Sequence, residues 1–260
     1  TQSDKFRTSA FHFSSPTSGA FLAVGQYGET FRSIDNGTSW DNGTCIFLNN
    51  HLNAATYGNN TFVAVGNSGK IVRSTDNASS WSNSTSGIDT RLNGVTFGNN
   101  TFMAVGDSNR ILRSTDSGSS WSSLTSGVSS HYLKGVTFGN DIFEVVGQTN
   151  WANSSDNNQN TRYVKILKST DDGSNWTSQN SPYLNTIDLY GVTFGSNKFV
   201  AVGESGKIVR STNNSGTSWD NVTSGISPYP PIGDYIFKGV AFGNNTFVAV
   251  GQSGKIIRST

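Results

Sequence analysis

Residues 52–81 read LNAATYGNNTFVAVGNSGKIVRSTDNASSW, and residues 92–121 repeat them as LNGVTFGNNTFMAVGDSNRILRSTDSGSSW. Shorter or more divergent versions of the same unit begin at Ser9, Leu133, Leu189 and Phe237, so six copies fill the 260-residue chain. The glycine that closes the F-x-A-V-G segment recurs at Gly25, Gly66, Gly106, Gly147, Gly203 and Gly251. Successive spacings are 41, 40, 41, 56 and 48 residues, and the two longest mark insertions near residues 148–163 and 227–235. A repeat of about 40 residues therefore organises the whole chain.

Each copy predicts four short strands, A to D, joined by tight turns. Strand A is G-V-T-F, strand B is T-F-V-A-V, strand C is K-I-V-R-S-T, and strand D begins at the tryptophan. The G-N-N, G-x-S-G and D-x-G-x-S segments between them supply the glycine and asparagine residues that tight turns need. Strand B is apolar at consecutive positions 62–65, which predicts burial on both faces.

Four-stranded units that are covered on both faces by their neighbours are typical of propeller blades. We therefore expect an all-β fold, a six-bladed β-propeller of four-stranded antiparallel blades in one domain over residues 1–260. A linear β-solenoid, which uses shorter coils, fits the repeat less well.

The sixth copy stops at Thr260, before its own turn and tryptophan strand. Residues 1–8 precede strand A of the first copy, so we predict that this N-terminal segment supplies the missing outer strand and closes the ring. Closure would leave no open sheet edge. The alternative is a fragment of a longer array cut at Thr260.

The turn between strands C and D resembles the Asp-box (BNR) repeat, S-x-D-x-G-x-x-W. Residues 33–40, 114–121 and 169–176 match in full, residues 74–81 lack the glycine, and residues 211–219 have asparagine for aspartate and one extra residue. Families with this box include sialidases, xyloglucan hydrolases, sortilin-type receptors, Ycf48-type photosystem II assembly factors and lectin-like propellers. The resemblance implies a propeller but no single activity, because in those families the box is a structural turn.

In such a turn the aspartate accepts backbone N–H groups and the tryptophan packs between blades. The structural residues predicted in this way are Asp35, Trp40, Asp76, Trp81, Asp116, Trp121, Asp171, Trp176 and Trp219.

The composition excludes several classes of function. The chain has 18 Lys and Arg against 17 Asp and Glu, a net charge of +1, which gives no electrostatic reason to expect nucleic acid. Cys45 is the single cysteine, so we expect no metal site and no cofactor. No apolar run approaches the roughly 18 residues that span a bilayer, so membrane insertion is not expected. The N-terminal TQSDKFRT is not a secretory signal, and we expect the mature form of a secreted or cell-surface protein.

Catalysis is not expected either. Glycoside hydrolysis needs two carboxylates about 5 to 9.5 Å apart, and strand A, which would line the central channel, carries no acid in its G-V-T-F core. The arginine triad and tyrosine nucleophile of the sialidases that the box resembles are not recognisable. His12, His51 and His131 stand apart, with no nucleophile motif beside them. Near-identical blades also lack the asymmetry that an active site needs.

The B–C turns carry the predicted binding residues. An amide or carboxylate follows each repeat glycine, and in four copies a cation stands four residues after that glycine. Sugars are recognised by such groups together with an aromatic ring, and repeated weak sites gain by avidity. The predicted ligand-binding residues are Gln26, Tyr27, Asn67, Lys70, Asp107, Arg110, Gln148, Trp151, Glu204, Lys207, Gln252 and Lys255.

We therefore predict a non-catalytic, lectin-like propeller that binds glycans or a glycosylated surface, with oligomers allowed. Ordinary turn chemistry also explains a polar residue after a turn glycine. The alternative function is a structural or protein-interaction scaffold, such as an assembly factor or a surface or fibre subunit. A glycoside hydrolase ranks third.

Overall fold

A computed structural model describes residues 6–13, 19–43, 50–128, 131–149, 166–179, 188–225 and 235–259. These residues form six antiparallel sheets, one for each copy of the repeat, with the strands of each sheet in sequence order. The predicted fold class, an all-β propeller of six antiparallel blades, is confirmed. The chain divides into two compact units, Thr1–Leu124 and Thr125–Thr260, with three blades in each.

The strands of the first unit follow the predicted order A to D in each blade. Blade 1 contains β1 (Phe6–Phe13), β2 (Gly19–Gly25), β3 (Thr30–Ser33) and β4 (Asp41–Gly43). Blade 2 contains β5 (Leu52–Gly58), β6 (Thr61–Gly66), β7 (Ile71–Ser74) and β8 (Ser82–Ser84). Blade 3 contains β9 (Leu92–Gly98), β10 (Thr101–Gly106), β11 (Ile111–Ser114) and β12 (Ser122–Leu124).

The second unit repeats this arrangement with one difference. Blade 4 contains β13 (His131–Gly139), β14 (Ile142–Thr149), β15 (Ile166–Ser169) and β16 (Thr177–Gln179). Blade 5 contains β17 (Leu189–Gly195), β18 (Lys198–Gly203), β19 (Ile208–Ser211) and β20 (Trp219–Val222). Blade 6 has three strands within the described residues, β21 (Phe237–Gly243), β22 (Thr246–Gly251) and β23 (Ile256–Arg258).

Short 3-10 turns connect strands B and C in four blades. They span Gln26–Gly28, Asn67–Gly69, Glu204–Gly206 and Gln252–Gly254. The two predicted insertions fall largely outside the described residues.

Residues 6–8 of the N-terminal segment do not form the predicted outer strand. Phe6 and Thr8 pair with Gly25 and Val24 of β2, as Leu52 and Ala54 pair with Gly66 and Val65 in blade 2. Residues 6–8 therefore belong to strand A of blade 1 and not to a closing outer strand, because β2 runs as far as Gly25 and needs a partner of that length. Residues 1–5 lie outside the described part of the chain.

Strand B is buried on both faces, which confirms the expectation from its apolar run. In blade 2, Phe62 and Ala64 pack with Leu22 and Val24 of blade 1. On the opposite face, Val63 and Val65 join a cluster with residues of blade 3. Each such side chain, when removed from water, contributes about 1.5–3 kcal/mol, so stacking of blades supplies the core of each unit.

Candidate functional site

The turns between strands C and D are stabilised by their own side chains. Asp116 Oδ1 accepts the Ser120 backbone N–H at 2.9 Å, and the Ser120 hydroxyl donates to Asp116 Oδ2 at 2.6 Å. The Ser114 hydroxyl donates to Asp116 Oδ1 at 2.8 Å and accepts the Gly118 N–H at 2.9 Å. The same four contacts are made around Asp35, Asp76 and Asp171.

These hydrogen bonds favour the ionised carboxylate. Burial opposes ionisation of Asp116, but the bonds from Ser120 and Ser114 outweigh it and hold its pKa at about 2. The pKa of Asp76 is lowered to about 2 against the same opposing effect. Because their oxygens are occupied within the turn, these aspartates are structural residues in the geometry as well as in the sequence pattern.

The tryptophans of these turns differ in exposure. Trp81 and Trp219 are buried, Trp121 and Trp176 are half-buried, and Trp40 is 44% exposed. Four of the five indole N–H groups donate to the carbonyl of the turn glycine, as from Trp121 to Gly118 at 3.2 Å. Trp40 is bonded within its own turn, and its packing between blades stays a prediction.

The recurring arginine of strand C reaches into the following blade. Arg32 Nη1 donates to the Asn77 carbonyl at 3.3 Å, and Arg73 Nε donates to the Ser117 carbonyl at 3.1 Å. Both acceptors lie in the C–D turn of the next blade. In blades 1 and 2 this cation therefore links one blade to the next.

The amide or carboxylate predicted to bind sugar points toward strand A of its own blade. Asn67 Oδ1 accepts from Asn53 Nδ2 at 3.0 Å, and Asp107 Oδ1 accepts from Asn93 Nδ2 at 2.7 Å. In blade 5, Glu204 Oε1 accepts from the Tyr190 hydroxyl at 3.2 Å.

The predicted cations point the other way. Lys207 Nζ donates to Asn221 Oδ1 of strand D at 3.0 Å, and Lys70 donates to Asn83 of strand D in blade 2. The order of the strands explains this difference. The first residue of the turn follows strand B, which lies beside strand A, whereas the cation precedes strand C, which lies beside strand D. The structure therefore does not bring the two predicted groups together in one sugar site within a blade.

The other predicted residues are more scattered. Arg110 lines an open groove of about 690 Å³ in the first unit together with Lys70 and Asp89. Lys255 Nζ lies 5.4 Å from the centre of the Tyr235 ring. Gln26 and Gln252 begin their 3-10 turns, and Gln148 lies in β14. Trp151 is outside the described residues.

Five functional candidates were missed in the sequence. They occupy the second position of strand A, where the frame L-x-G-V-T-F is otherwise nearly constant, and they are Asn53, Asn93, Lys134, Tyr190 and Lys238. The signal was available, because a position that varies within a conserved repeat is free of the structural role that its neighbours share.

Two of these residues form a cluster with Glu204 in the second unit. Lys238 Nζ lies 3.6 Å from the centre of the Tyr190 ring, a close cation–π contact, and the Tyr190 hydroxyl is bonded to Glu204. Burial, with the charges of Glu204 and Asp188, raises the pKa of Tyr190 well above its usual range. Burial also lowers the pKa of Lys238. We call Lys238, Tyr190 and Glu204 the Lys–Tyr–Glu cluster.

Tyr27 is a second unusual feature at a B–C turn. It has φ 57° and ψ 23°, where the equivalent turns have Ser68, Ser205 and Ser253. A left-handed conformation costs a residue with a Cβ about 1–2 kcal/mol. Tyr27 is nevertheless 55% exposed, and its ring centre lies 5.2 Å from that of His51.

In the described part of the chain, no group of three or more His, Cys, Asp or Glu side chains is arranged to hold a metal ion. Within the same residues, no helix has the length and apolar character needed to cross a membrane.

Several solved structures are similar to the chain. "YCF48 bound to D1 peptide" shares 17% identity with a TM-score of 0.68, and the match covers 98% of this chain and 78% of that one. YCF48 from Cyanidioschyzon merolae shares 17% identity at a TM-score of 0.66, over 98% and 82% of the two chains. The GH74 xyloglucanase from Xanthomonas campestris shares 12% identity at 0.68, over 97% of this chain and 44% of that one. No family model and no curated protein sequence matches the chain. At these identities the likeness establishes the fold alone.

Proposed function

We propose that the chain is a non-catalytic propeller scaffold that binds a protein partner through side chains at the start of the A strands in its second unit. The observation that carries this proposal is the change of side chain from blade to blade at one repeat position. In the second unit, Lys134, Tyr190 and Lys238 occupy it in blades 4, 5 and 6. Repeated sugar sites need the same side chains in every blade, whereas a polypeptide ligand presents a different side chain at each of its residues.

The Lys–Tyr–Glu cluster has the properties of an anchor for such a partner. Tyrosine is enriched among the residues that dominate protein interfaces, and its ring contributes area with little loss of conformational entropy. Tyr190 is held in place by Glu204 and covered by Lys238, so its orientation is set before binding. The peptide bound to the similar YCF48 structure gives independent support for a polypeptide ligand.

A panned peptide library tests this proposal. Random dodecapeptides displayed on phage are selected against the folded chain, and the dissociation constants of the selected peptides are measured by calorimetry. Lys238→Ala and Tyr190→Ala should each weaken binding by about 10- to 30-fold, because truncation of an interface anchor costs about 2 kcal/mol.

Lys255→Ala is the matched control, since Lys255 also lies over a tyrosine ring but belongs to the cations predicted from the sequence. It should leave the dissociation constant unchanged. Loss of binding with Lys255→Ala but not with Lys238→Ala would refute the proposed surface, as would failure to select any peptide on protein shown to be folded.

Glycan binding at Tyr27 is the second candidate function. An exposed aromatic ring in a strained, left-handed backbone conformation is suited to stacking under a pyranose. A glycan array with the wild-type chain and Tyr27→Ser tests it, because serine is the residue of the equivalent turns. We expect binding that Tyr27→Ser abolishes and Lys238→Ala leaves intact. A blank array with folded protein would remove this candidate. The secreted or cell-surface location stays a prediction from the sequence.

A further inference from the structure

An open groove of about 690 Å³ lies between blades 2 and 3 in the first unit. Blade 2 contributes its B–C turn, its strand D and the loop 85–89, and blade 3 contributes Arg110 and Ser123. The charged side chains among the described lining residues are Lys70, Arg110 and Asp89, so the groove carries a net positive charge. Pockets for small organic ligands measure about 300–1,000 Å³, so the groove has room for a molecule of several chemical groups.

The walls of this groove are held in place by the protein itself. The Gly69 N–H donates to the Thr90 carbonyl at 2.7 Å, which ties the B–C turn to the segment that follows the loop. A Cβ at Gly69 would lie 2.0 Å from the Ile88 carbonyl oxygen, so the turn and the loop are in close contact. The Ser84 hydroxyl donates to the Gly118 carbonyl of blade 3 at 2.7 Å. The groove therefore has its shape before a ligand binds, which reduces the cost of binding.

In blades 2 and 5, the cation before strand C is paired within its own blade. Lys70 donates to Asn83, and Lys207 donates to Asn221. Ser123 holds the position of these asparagines in blade 3, in the same register opposite strand C. Blade 3 therefore lacks the amide oxygen that accepts from the cation in the other two blades.

Blade 3 also differs in the cation itself. Arg110 stands where blades 2, 5 and 6 have lysine. It is half-buried, and its Nε is buried with no hydrogen-bond partner in the described residues. A charged group that is partly removed from water costs free energy unless it is paired. Because the planar guanidinium can donate to both oxygens of a carboxylate, whereas a lysine ammonium acts as a point charge, the change favours a carboxylate ligand.

The remaining lining of the groove suits a ligand with many hydroxyl groups. Its exposed side chains are hydroxyls, an amide and a carboxylate, from Ser68, Asn83, Thr85, Asp89 and Ser123. Amide and carboxylate oxygens accept hydrogen bonds from sugar hydroxyls, and serine and threonine hydroxyls both donate and accept. Of the two isoleucines in the lining, Ile71 is buried and Ile88 is half-buried, which gives little apolar surface for the anchors of a protein partner. The Asp89 carboxylate also opposes a run of acidic side chains.

We propose that this groove binds an oligosaccharide that contains a uronic acid. The carboxylate of the uronate accepts hydrogen bonds from the Arg110 guanidinium, and Lys70 adds a second positive charge to the same groove. The side chains of Asp89 and Ser123 bind hydroxyls of the sugar. The groove shares no residue with the Lys–Tyr–Glu cluster and does not include Tyr27, so the proposal does not rest on the proposed function.

A panel of uronate oligosaccharides tests the proposal. Trimers of galacturonate, glucuronate, mannuronate and guluronate are printed on an array beside their methyl esters, and the dissociation constant of each binder is measured by calorimetry. We expect one or more of the trimers to bind. The methyl ester keeps the hydroxyls but removes the charge, so it should bind about tenfold more weakly or less. Binding of the uronate should also weaken as sodium chloride is added, because salt screens the two cations.

The repeat supplies a variant that removes the site and keeps the fold. Arg110→Lys combined with Ser123→Asn recreates the Lys70–Asn83 pair of blade 2. The double variant should unfold at the wild-type temperature or above it, because its cation is paired within the blade. Its affinity for the uronate should fall by about tenfold or more, since the guanidinium is absent and the new asparagine occupies the ammonium.

Variants at other sites serve as controls. Lys207→Ala is the matched control, because Lys207 holds the repeat position of Arg110 in blade 5, and it should leave the dissociation constant for the uronate unchanged. Tyr27→Ser and Lys238→Ala should also bind the uronate as the wild type does. Failure of this proposal is therefore distinguishable from failure of either candidate function above.

Three results would overturn the proposal. The first is that no uronate trimer binds to protein that circular dichroism shows to be folded. The second is that the methyl ester, or a tripeptide of glutamate, binds as tightly as the uronate, since the groove would then not recognise a charged sugar. The third is that the double variant of Arg110 and Ser123 binds the uronate as the wild type does.

Discussion

Replacing Gly58 by alanine should destabilise the first unit. Gly58 is the last residue of strand A in blade 2, and it leaves room for the aromatic ring of Phe97 in blade 3. A Cβ at Gly58 would lie 2.1 Å from Cγ and 2.2 Å from Cδ1 of Phe97, far inside van der Waals contact. The Phe97 ring cannot easily retreat, since its centre is 4.7 Å from that of the fully buried Phe102. Blade 2 and blade 3 must therefore separate locally.

The size of the effect follows from two opposing contributions. Overpacking of a filled core costs about 1–3 kcal/mol, and a clash this short belongs near the upper end. Alanine also restricts the unfolded chain, which returns about 0.4–1 kcal/mol. We expect a net loss of about 2 kcal/mol in the free energy of unfolding, measured by urea titration, and a decrease in melting temperature of about 4–8 °C.

The repeat supplies an internal control for this experiment. Gly243 holds the same position in blade 6, where a Cβ would meet no atom of the described residues within 4 Å, so Gly243→Ala should be neutral or slightly stabilising. Gly195→Ala, with Phe242 at 2.1 Å, should reproduce the loss in the second unit. Equal stability of Gly58→Ala and Gly243→Ala would refute the reasoning, as would failure of an added Phe97→Leu to restore any stability.

Three further predictions concern buried and turn side chains. Glu144 is fully buried with no hydrogen-bond partner in the described residues, and burial raises its pKa well above 4.5. The folded chain therefore holds a proton that the unfolded chain releases, so stability should fall as pH rises from about 4.5, and Glu144→Gln should flatten that slope in urea titrations at pH 4–7. The double variant Glu144→Met with Lys168→Arg recreates the Met103–Arg113 pair of blade 3. It should raise the free energy of unfolding by about 1–3 kcal/mol, to be measured by calorimetry, and a less stable double variant would contradict this. Asp116→Asn removes the carboxylate that the turn stabilises, so it should be less stable than the wild type at neutral pH. The wild type loses the same contribution as pH falls from about 4 toward 2, so the acid unfolding curves of the two proteins should converge there.

The fold was predictable because the repeat exposes its own strand boundaries. Copies of T-F-V-A-V and G-N-N in register fix both strands and turns, and the structure differs mainly at Phe6, which takes the place that Leu52 has in blade 2. The divergent first copy concealed this, since residues 6–8 read F-R-T where the other copies read L-x-A, L-x-G or F-K-G.

The candidate site was harder to predict, for two physical reasons. Asn67 and Lys70 are three residues apart, yet a tight turn directs one toward strand A and the other toward strand D, so closeness in sequence does not bring them together. The contact of Arg73 with Ser117 depends on how two blades stack, which spacing within one blade does not encode. The position of Tyr190 and Lys238 differs between copies of the repeat, so a search for residues that recur in every copy does not select it.

The strand C arginines of blades 1 and 2 contact a blade that comes later in the chain, and this bears on how the protein folds during synthesis. Arg32 and Arg73 each donate to a turn synthesised about 45 residues later. During translation, the receiving surface of a blade therefore leaves the ribosome before the turn that covers it. Within each unit, every new blade meets a docking surface on the blade already made, and this favours growth of the stack from its N-terminal end.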